Sequence, residues 1–318
     1  MKTHFFKIRG NYVVLINKQY MIFYLLSIFI AGILICITVF YSYFYLTDLP
    51  ISMVYKVDQS ISAQAATAAL VTSPFQYSFK VPGTLAETGD MDGSSSPYWW
   101  LNSGGLFYLQ DGVGMTIQGE LTKYQKWRLA YALSNPVDTD NGYHPQNILR
   151  LVTRSKWQNF TQECFYLVTK DELSASPNRN ASNGLFLFNR YVNQDNLYYT
   201  CLRVDGAAVI KKKIKGIYYT MTYKPFIAGP KYDLNTNPNL IPKNVWIGLR
   251  SQIINNPDGT VSIKFWIDQG RTGNWVLAAE AIDDGKTYGK GVISIPGYAG
   301  LRTDFMDVKF DDYQMTKL

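Results

Sequence analysis

The run from residue 183 to 223 constrains the fold of this chain most, because it predicts four successive β-strands and the turns that join them. It reads NGLFLFNRYVNQDNLYYTCLRVDGAAVIKKKIKGIYYTMTY. Its aromatic and β-branched residues favour extended backbone. Asp205-Gly206 supplies the positive φ angles that a tight hairpin needs, and Lys215-Gly216 marks the next turn. The run therefore predicts an antiparallel meander.

The first strand of this meander is predicted to lie inside its sheet, because both of its faces are largely apolar or aromatic. Strict alternation along the strand divides its side chains between the two faces. Leu185, Leu187, Asn189 and Tyr191 fall on one face, and Phe186, Phe188 and Arg190 fall on the other.

The N-terminus predicts a membrane anchor. Residues 1–20 carry four basic residues and no acidic one, and residues 21–46 contain no charged side chain. As a helix rising about 1.5 Å per residue, the uncharged run can cross a hydrocarbon core of about 30 Å. Because the basic residues precede it, the positive-inside rule predicts a cytoplasmic N-terminus and an extracytoplasmic C-terminal domain. A cleaved signal peptide is the alternative, but the apolar run is too long and no small-x-small cleavage site follows it.

The remainder of the chain predicts a linker and one all-β domain. Residues 47–73 have no strong periodicity and are interpreted as a stalk, and residues 74–318 form the domain. Besides the meander, strands are predicted at 75–81, around Asp111-Gly112, and at 127–133, 148–154, 162–169, 245–253, 261–268 and 275–282, with a final pair in AGLRTDFMDVKFDDYQM. Many short strands with regular turns favour two antiparallel sheets packed face to face as a jelly-roll sandwich.

The charge of the chain is mildly basic, with 31 Lys and Arg against 24 Asp and Glu and a net charge of +7. Such an excess suits an acidic glycan or an anionic envelope, and it is equally typical of a solvated basic surface. The three lysines at 211–213 alternate across both faces of a predicted strand, so they form no continuous patch. Nucleic acid is therefore not expected as a partner.

Two cysteines, Cys164 and Cys201, lie outside the predicted membrane segment, and both fall in predicted strands. If those strands are neighbours, a disulfide would stabilise the domain by about 3–4 kcal/mol in an oxidising compartment. Two buried free thiols are the alternative, and the sequence favours neither.

The succession NGLFLFNRY, NLYYTCLRVDG, a Lys-rich strand closed by KGIYY, and the terminal AGLRTDFMDVKFDDYQM resembles the concanavalin A-like lectin/glucanase superfamily. The resemblance covers residues 74–318 and is strongest to the laminin-G-like and glycoside-hydrolase-associated jelly rolls. It implies a jelly roll whose concave sheet binds or processes polysaccharide. It also implies a structural Ca²⁺, for which Asp311 and Asp312 in FDDY supply hard oxygen ligands.

Motifs for catalysis are incomplete, so whether the chain is an enzyme stays open. The E-x-D-x-E strand of the superfamily's glucanases is missing, and the strand-borne carboxylates Glu163, Asp268 and Glu280 are the candidates that could converge in its place. RLVTR at 150–154 has the two arginines of the lyase motif R-x-E-x-R, but a valine replaces its glutamate. His144 is the one histidine beyond the membrane segment, which excludes a multi-histidine zinc site.

Recognition of a sugar chain is the function that the strands support best. Arginine guanidinium groups and tyrosine rings on sheet faces suit sugar rings with their hydroxyl and carboxylate groups. The candidate ligand-binding residues are Arg150, Arg154, Arg190, Tyr191, Tyr199 and Arg203. We expect a membrane-anchored, extracytoplasmic protein that binds polysaccharide or glycan. A glycoside hydrolase or polysaccharide lyase and a structural envelope protein are the alternatives.

Overall fold

The computed structural model describes residues 64–318, which contain sixteen β-strands, one α-helix and one short 3-10 helix. The strands are β1 (Phe75–Tyr77), β2 (Gly83–Ala86), β3 (Trp99–Ser103), β4 (Leu106–Gln110), β5 (Val113–Thr116), β6 (Ile148–Trp157), β7 (Phe160–Asp171), β8 (Gly184–Asn193), β9 (Asn196–Arg203), β10 (Ala207–Ile214), β11 (Ile217–Pro225), β12 (Trp246–Asn255), β13 (Val261–Gln269), β14 (Val276–Asp283), β15 (Gly297–Asp304) and β16 (Met306–Lys317). Helix α1 (Lys126–Ser134) and the 3-10 helix (Pro145–Asn147) lie between β5 and β6.

The strands form two antiparallel sheets, as the sequence predicted. One sheet has nine strands in the order β14-β13-β12-β7-β16-β5-β4-β2, with β1 also paired to β16. The other has seven strands in the order β11-β10-β9-β8-β15-β6-β3. The all-β class with two antiparallel sheets is therefore confirmed for the described residues.

The hydrophobic core lies between the two sheets. Leu151 and Leu187 of the seven-stranded sheet and Leu249 and Phe310 of the nine-stranded sheet have no exposed surface and belong to one apolar cluster. Burying a side chain of this size contributes about 1.5–3 kcal/mol. The side chains that point inward from each strand therefore hold the two sheets together. The side chains that point outward remain available for other roles.

The meander of β8 to β11 is confirmed, and it supplies four adjacent strands of the seven-stranded sheet. Gly206 and Gly216 both adopt positive φ angles in its turns. Strict alternation along β8 is wrong beyond Asn189, because Arg190 has a φ of 50° and the pairing with β9 shifts there. This shift moves Tyr191 to the outward face beside Phe188.

The predicted strand at 127–133 is wrong, because these residues lie in α1. The sequence KWRLAYALS consists mostly of residues with good helix propensity. Trp127 and Tyr131 are four positions apart and therefore share one face of the helix, with ring centroids 6.3 Å apart. The Tyr131 hydroxyl accepts a hydrogen bond from the Gly104 amide at 2.8 Å, which fastens the helix to the sandwich.

The predicted membrane segment at 21–46 and the basic segment at 1–20 lie outside the described residues. Within 64–318, no helix is long and apolar enough to span a bilayer. The end of the predicted stalk lies against the sandwich, where the amides of Ala66 and Ala69 donate to the carbonyls of Ser94 and Pro97. The domain boundaries at 47, 73 and 74 stay predictions.

The two cysteines are free and buried. Cys164 lies in β7 of the nine-stranded sheet and Cys201 in β9 of the seven-stranded sheet. Cys201 belongs to an apolar cluster separate from the core that contains Cys164. Of the two alternatives left open by the sequence, the structure has the pair of buried thiols.

Candidate binding groove

The outward face of the seven-stranded sheet carries a second apolar cluster. Its buried members come from β6, β8 and β9 and are Val152, Phe186, Phe188, Tyr191, Leu197, Tyr199 and Cys201. Successive strand residues point to opposite faces, which explains why these strands contribute to this cluster and to the core. This outward-facing cluster forms the floor of a groove. The Tyr166 hydroxyl of the opposite sheet donates to the Phe186 carbonyl at 2.8 Å and helps to hold the floor in place from the core side.

An open groove of about 460 Å³ lies above this floor. A neighbouring lobe of about 90 Å³ shares four of its lining residues, Arg150, Tyr199, Tyr218 and Arg302. One wall of the main groove consists of polar residues from the loops that precede β6 and β8, namely Asn135, Asp138, Asn178, Asn180, Ser182 and Asn183. The groove therefore joins an aromatic floor to a wall rich in amides.

Tyrosine rings line the junction between the two lobes. Tyr199 and Tyr218 meet edge to face with ring centroids 6.3 Å apart. Tyr191 stacks on Phe188 at 5.6 Å. Tyr218 is half exposed, whereas burial raises the pKa of the Tyr199 and Tyr191 hydroxyls. Tyr199 and Tyr191 therefore remain neutral at physiological pH. Tyr218 offers the most accessible of the three rings.

Two arginines face each other at this junction. Arg150 of β6 and Arg302 of β15 are direct cross-strand partners. The Arg302 Nε donates to Asp304 Oδ1 at 2.7 Å, and its guanidinium lies 5.0 Å from the Phe186 ring centroid. The Arg150 Nη1 donates to Asn102 Oδ1 at 3.3 Å. Burial, followed by the charge of Arg302, lowers the pKa of Arg150. Burial acts in the same direction on Arg302, but the charge and hydrogen bond of Asp304, with smaller contributions from Tyr218 and Tyr199, outweigh it and raise the pKa.

Two lysines of β10 extend the positive charge along the groove. Lys211 lines the main groove, and Lys213 lines the smaller lobe. The Lys213 ammonium lies 4.6 Å from the Tyr218 ring centroid and 3.6 Å from an Asp195 carboxylate oxygen. Burial, followed by the charge of Arg203, lowers the pKa of Lys211. Successive lysines of the run at 211–213 point to opposite faces of β10, so the run forms no continuous patch. The same alternation places Lys211 and Lys213 on the face that carries the groove.

Asp138 and Asp304 are the carboxylates that line the main groove. Asp304 is paired with Arg302. Asp138 accepts hydrogen bonds from Ser176 Oγ at 2.6 Å and Asn178 Nδ2 at 2.9 Å. Burial alone would raise the pKa of Asp138, but its hydrogen bonds outweigh burial and lower it. Both carboxylates are therefore engaged by neighbouring donors.

Of the six predicted ligand-binding residues, the structure brings Arg150, Tyr191 and Tyr199 together in the groove. Arg190 is not with them, because its fully buried guanidinium donates to the Gln158 and Ile293 carbonyls, both at 2.7 Å. Arg190 therefore connects loops inside the sandwich.

Arg154 and Arg203 also lie away from the residues that line the groove. A shift in the pairing of β6 with β15 follows Val152, and the Arg154 Nη1 donates to the carbonyls of Ala66 and Ser96. Arg203 lies at the end of β9, where its Nη2 is 2.8 Å from Asp205 Oδ2. Arg154 therefore does not join Arg150 at the groove, because its guanidinium is engaged by these two carbonyls.

The predicted metal ligands Asp311 and Asp312 are both paired with Arg271. Arg271 Nη1 lies 2.8 Å from Asp311 Oδ2, and Nη2 contacts Asp312. Within residues 64–318, no group of three or more His, Cys, Asp or Glu side chains is arranged to hold a metal ion. In this arrangement the two carboxylates fit a guanidinium and do not fit Ca²⁺, which takes six to eight oxygen ligands.

The candidate catalytic carboxylates do not converge in the groove. Glu163 is paired with Arg250 at 2.5 Å, and Asp268 accepts hydrogen bonds from the amides of Thr272 and Gly273. Glu280 lies on β14 of the nine-stranded sheet. His144 is largely buried, with Nδ1 2.8 Å from Asp140 Oδ2 and Nε2 3.3 Å from Glu172 Oε2.

Sequence reasoning missed several residues of the groove. They are Phe186, Phe188, Lys211, Lys213, Tyr218 and Arg302. Lys211, Lys213 and Tyr218 follow the same alternation that identified Tyr199, so the period-two pattern contained a signal for them. Arg302 had no such signal, because its role depends on the pairing of β15 with β6.

No protein-family model and no curated protein matches this sequence. Solved structures similar to it include the carbohydrate-binding module CBM66 from Bacillus subtilis, with 14% identity, a TM-score of 0.37, and coverage of 54% of this chain and 83% of that one. The winged bean acidic lectin has 12% identity, a TM-score of 0.43, and coverage of 77% and 98%. The VIP36 exoplasmic/lumenal domain has 8% identity, a TM-score of 0.37, and coverage of 70% and 87%.

Proposed function

We propose that this chain is a single-pass membrane protein whose extracytoplasmic domain binds carbohydrate in the groove on its seven-stranded sheet. The observation that carries the proposal is the combination of accessible tyrosine at the junction of the lobes with a wall of amide side chains. The anchor at 21–46 and the outside location of the domain rest on the charge pattern of the N-terminus.

The chemistry of the lining suits sugars. An aromatic ring offers an apolar face to the C–H groups of a sugar ring, and its hydroxyl adds a polar contact. The amides of Asn135, Asn178 and Asn180 can each donate and accept, as sugar hydroxyl groups require. An open groove of this size also favours binding over a purely structural role, for which side chains would fill the space.

Binding is favoured over hydrolysis by the state of the carboxylates in the groove. A glycoside hydrolase needs a carboxylic acid with a raised pKa to protonate the leaving oxygen. The pKa of Asp138 is instead lowered by its hydrogen bonds, and Asp304 is held by Arg302. The lyase alternative is weakened because His144 is buried between Asp140 and Glu172.

The test is a glycan-binding screen with the full-length chain in a detergent that has neither a sugar nor a charged headgroup. The panel contains neutral and acidic polysaccharides, and each is offered with and without Ca²⁺. We expect binding without cleavage and no effect of Ca²⁺, because Asp311 and Asp312 are engaged by Arg271. New reducing or unsaturated chain ends would instead identify a hydrolase or a lyase.

Two tyrosines of β11 provide a matched pair for this screen. Tyr218 and Tyr223 are each 50% exposed, but only Tyr218 is among the residues that line the groove. Tyr218→Ala is expected to weaken binding about tenfold, as the loss of a central aromatic contact does. Tyr223→Ala should bind like the unmodified chain. The absence of binding to every glycan in the panel, or equal losses in both variants, would contradict the proposal.

A further inference from the structure

We infer that Arg150 and Arg302 form an anion-binding fork, so that the preferred ligand of the groove is an acidic glycan carrying carboxylate or sulfate groups. This inference rests on the proposed function, which concerns sugar chains in general, and it assigns the ligand class. The evidence lies in how the two guanidinium groups are placed and in how little of their charge the protein neutralises.

The placement of the two arginines has an electrostatic cost. They are direct cross-strand partners on β6 and β15, so their side chains leave the same face of the sheet. Like charges directly opposite each other destabilise a sheet. The lowered pKa of Arg150, to which the charge of Arg302 contributes after burial, is consistent with this repulsion. An anion bound between the two groups would relieve it.

The described residues neutralise this charge only in part. Asp304 pairs with Arg302 at 2.7 Å, but within residues 64–318 no carboxylate oxygen lies within 4.0 Å of a nitrogen of Arg150 or Lys211. The contact of Arg150 with Asn102 is long, at 3.3 Å, and involves a neutral group. The groove therefore keeps donors with positive charge available to a ligand.

The fork is also held in place before a ligand arrives. Asp304 fixes the Arg302 Nε, and the Phe186 ring lies 5.0 Å from the Arg302 guanidinium. Because only the Nε of Arg302 is engaged by Asp304, its terminal N–H donors remain for a ligand. The fixed side chain also loses less conformational entropy when the ligand binds. A planar guanidinium presents parallel donors to carboxylate or sulfate oxygens, which a lysine cannot do.

The position of the fork indicates where the anionic group of the ligand would lie. Arg150 and Arg302 belong to the residues shared by the two lobes of the groove, together with Tyr199 and Tyr218. A sugar chain lying across both lobes would therefore bring the acidic group of an internal unit to the fork. Lys211 and Lys213 flank that junction and would contact further anionic groups along the chain.

The experiment compares ligands that differ in charge alone. The full-length chain, in the same uncharged detergent without a sugar headgroup, is titrated with oligogalacturonate and with its fully methyl-esterified form. Dextran sulfate and dextran form the second pair, which tests sulfate as the anion. Each titration is repeated with Arg150→Gln, with Lys211→Gln and with the control Lys264→Gln, which removes a lysine from the outward face of the nine-stranded sheet opposite Glu280.

We expect the charged member of at least one pair to bind about tenfold or more tightly than its neutral partner. Arg150→Gln and Lys211→Gln should each remove most of that preference, and Lys264→Gln should retain it. Preference for oligogalacturonate identifies a carboxylate ligand, and preference for dextran sulfate a sulfated one. Equal binding of charged and neutral members would overturn the inference and leave the proposed function standing. Equal losses of this preference in all three variants would also overturn the inference, because they would show that the overall positive charge of the surface, and not the fork, attracts the ligand. Binding of none of the four would overturn the inference and count against the proposed function.

Discussion

Lys212 and Asp283 form an ion pair in which neither side chain has exposed surface, with Nζ 2.7 Å from Oδ2. The Lys212 ammonium also donates to the Gly291 carbonyl at 2.5 Å, and Asp283 accepts a hydrogen bond from the Tyr198 hydroxyl at 2.5 Å. These contacts therefore connect the meander of the seven-stranded sheet to the last residue of β14 and to the loop that follows it.

Removing one partner of this pair should strongly destabilise the domain. Lys212→Met leaves a buried, unpaired carboxylate, and we expect the free energy of unfolding to fall by about 3–5 kcal/mol. Lys213→Met is the control, because the neighbouring lysine lies 3.6 Å from the half-exposed Asp195, and a pair of that kind contributes at most about 1 kcal/mol. Chemical denaturation measures both. The double variant Lys212→Met/Asp283→Asn should recover part of the loss, and equal stability of the two lysine variants would contradict the prediction.

Arg190 should matter for stability and not for binding. Arg190→Met leaves two backbone carbonyls and the side-chain oxygen of Asn255 without their donor, and it removes one of the two donors to Asn159 Oδ1. Each buried group left unsatisfied costs about 1–3 kcal/mol, so we expect a loss of about 3 kcal/mol or more. Arg150→Met, which removes one long hydrogen bond in the open groove, should change stability by less than about 1 kcal/mol. A thermal or urea unfolding curve in which the two variants coincide would mean that Arg190 is not a structural residue.

Asp138 should make the stability of the domain depend on pH. Its pKa in the folded protein is lowered below the ordinary value, so its contribution is complete above that ordinary value of about 3.9 and is lost as the pH falls through the folded pKa. We therefore expect Asp138→Asn to be less stable than the unmodified chain near about pH 6. The difference in urea midpoint should shrink as the pH falls below the ordinary pKa of an aspartate and the folded carboxylate also becomes protonated. A difference that stays constant over this range would show that Asp138 does not contribute through its charge.

Cys164 and Cys201 should be unreactive while the domain is folded. Burial is the main cause that raises the pKa of both thiols well above the ordinary value, and the thiolate is the reactive form. We expect an alkylating reagent to modify neither cysteine until the chain is unfolded, as followed by mass spectrometry of the labelled peptides. Rapid labelling of the native chain, or a disulfide-linked peptide in a digest without reductant, would contradict this assignment.

Much of the architecture was predictable because strand and turn signals are local. The aromatic runs of the meander and the glycines at 206 and 216 identify four strands and their connections without reference to the rest of the chain. The same reasoning failed at α1, because a short run of apolar and basic residues carries both helix and strand signals. It also failed along β8, where the positive φ of Arg190 breaks the alternation.

The groove was predictable only in part, for a physical reason. Tyr191 and Tyr199 could be assigned to candidate strands, but a face toward solvent and a face toward the core look alike when both are aromatic. Arg190 illustrates the difficulty, because a buried arginine satisfied by carbonyls has the same sequence context as one that contacts a ligand.

The sequence by itself determined that this chain is built of antiparallel strands, where most of them lie, and that an uncharged segment precedes them, because periodicity, turn residues and charge are properties of neighbours in the chain. Only the tertiary structure decided which strands pair and in which register. That register places Arg302 opposite Arg150 and sends Arg154 to the carbonyls of Ala66 and Ser96. Contacts between distant strands depend on the packing of the whole sandwich, and no local pattern in the sequence records them.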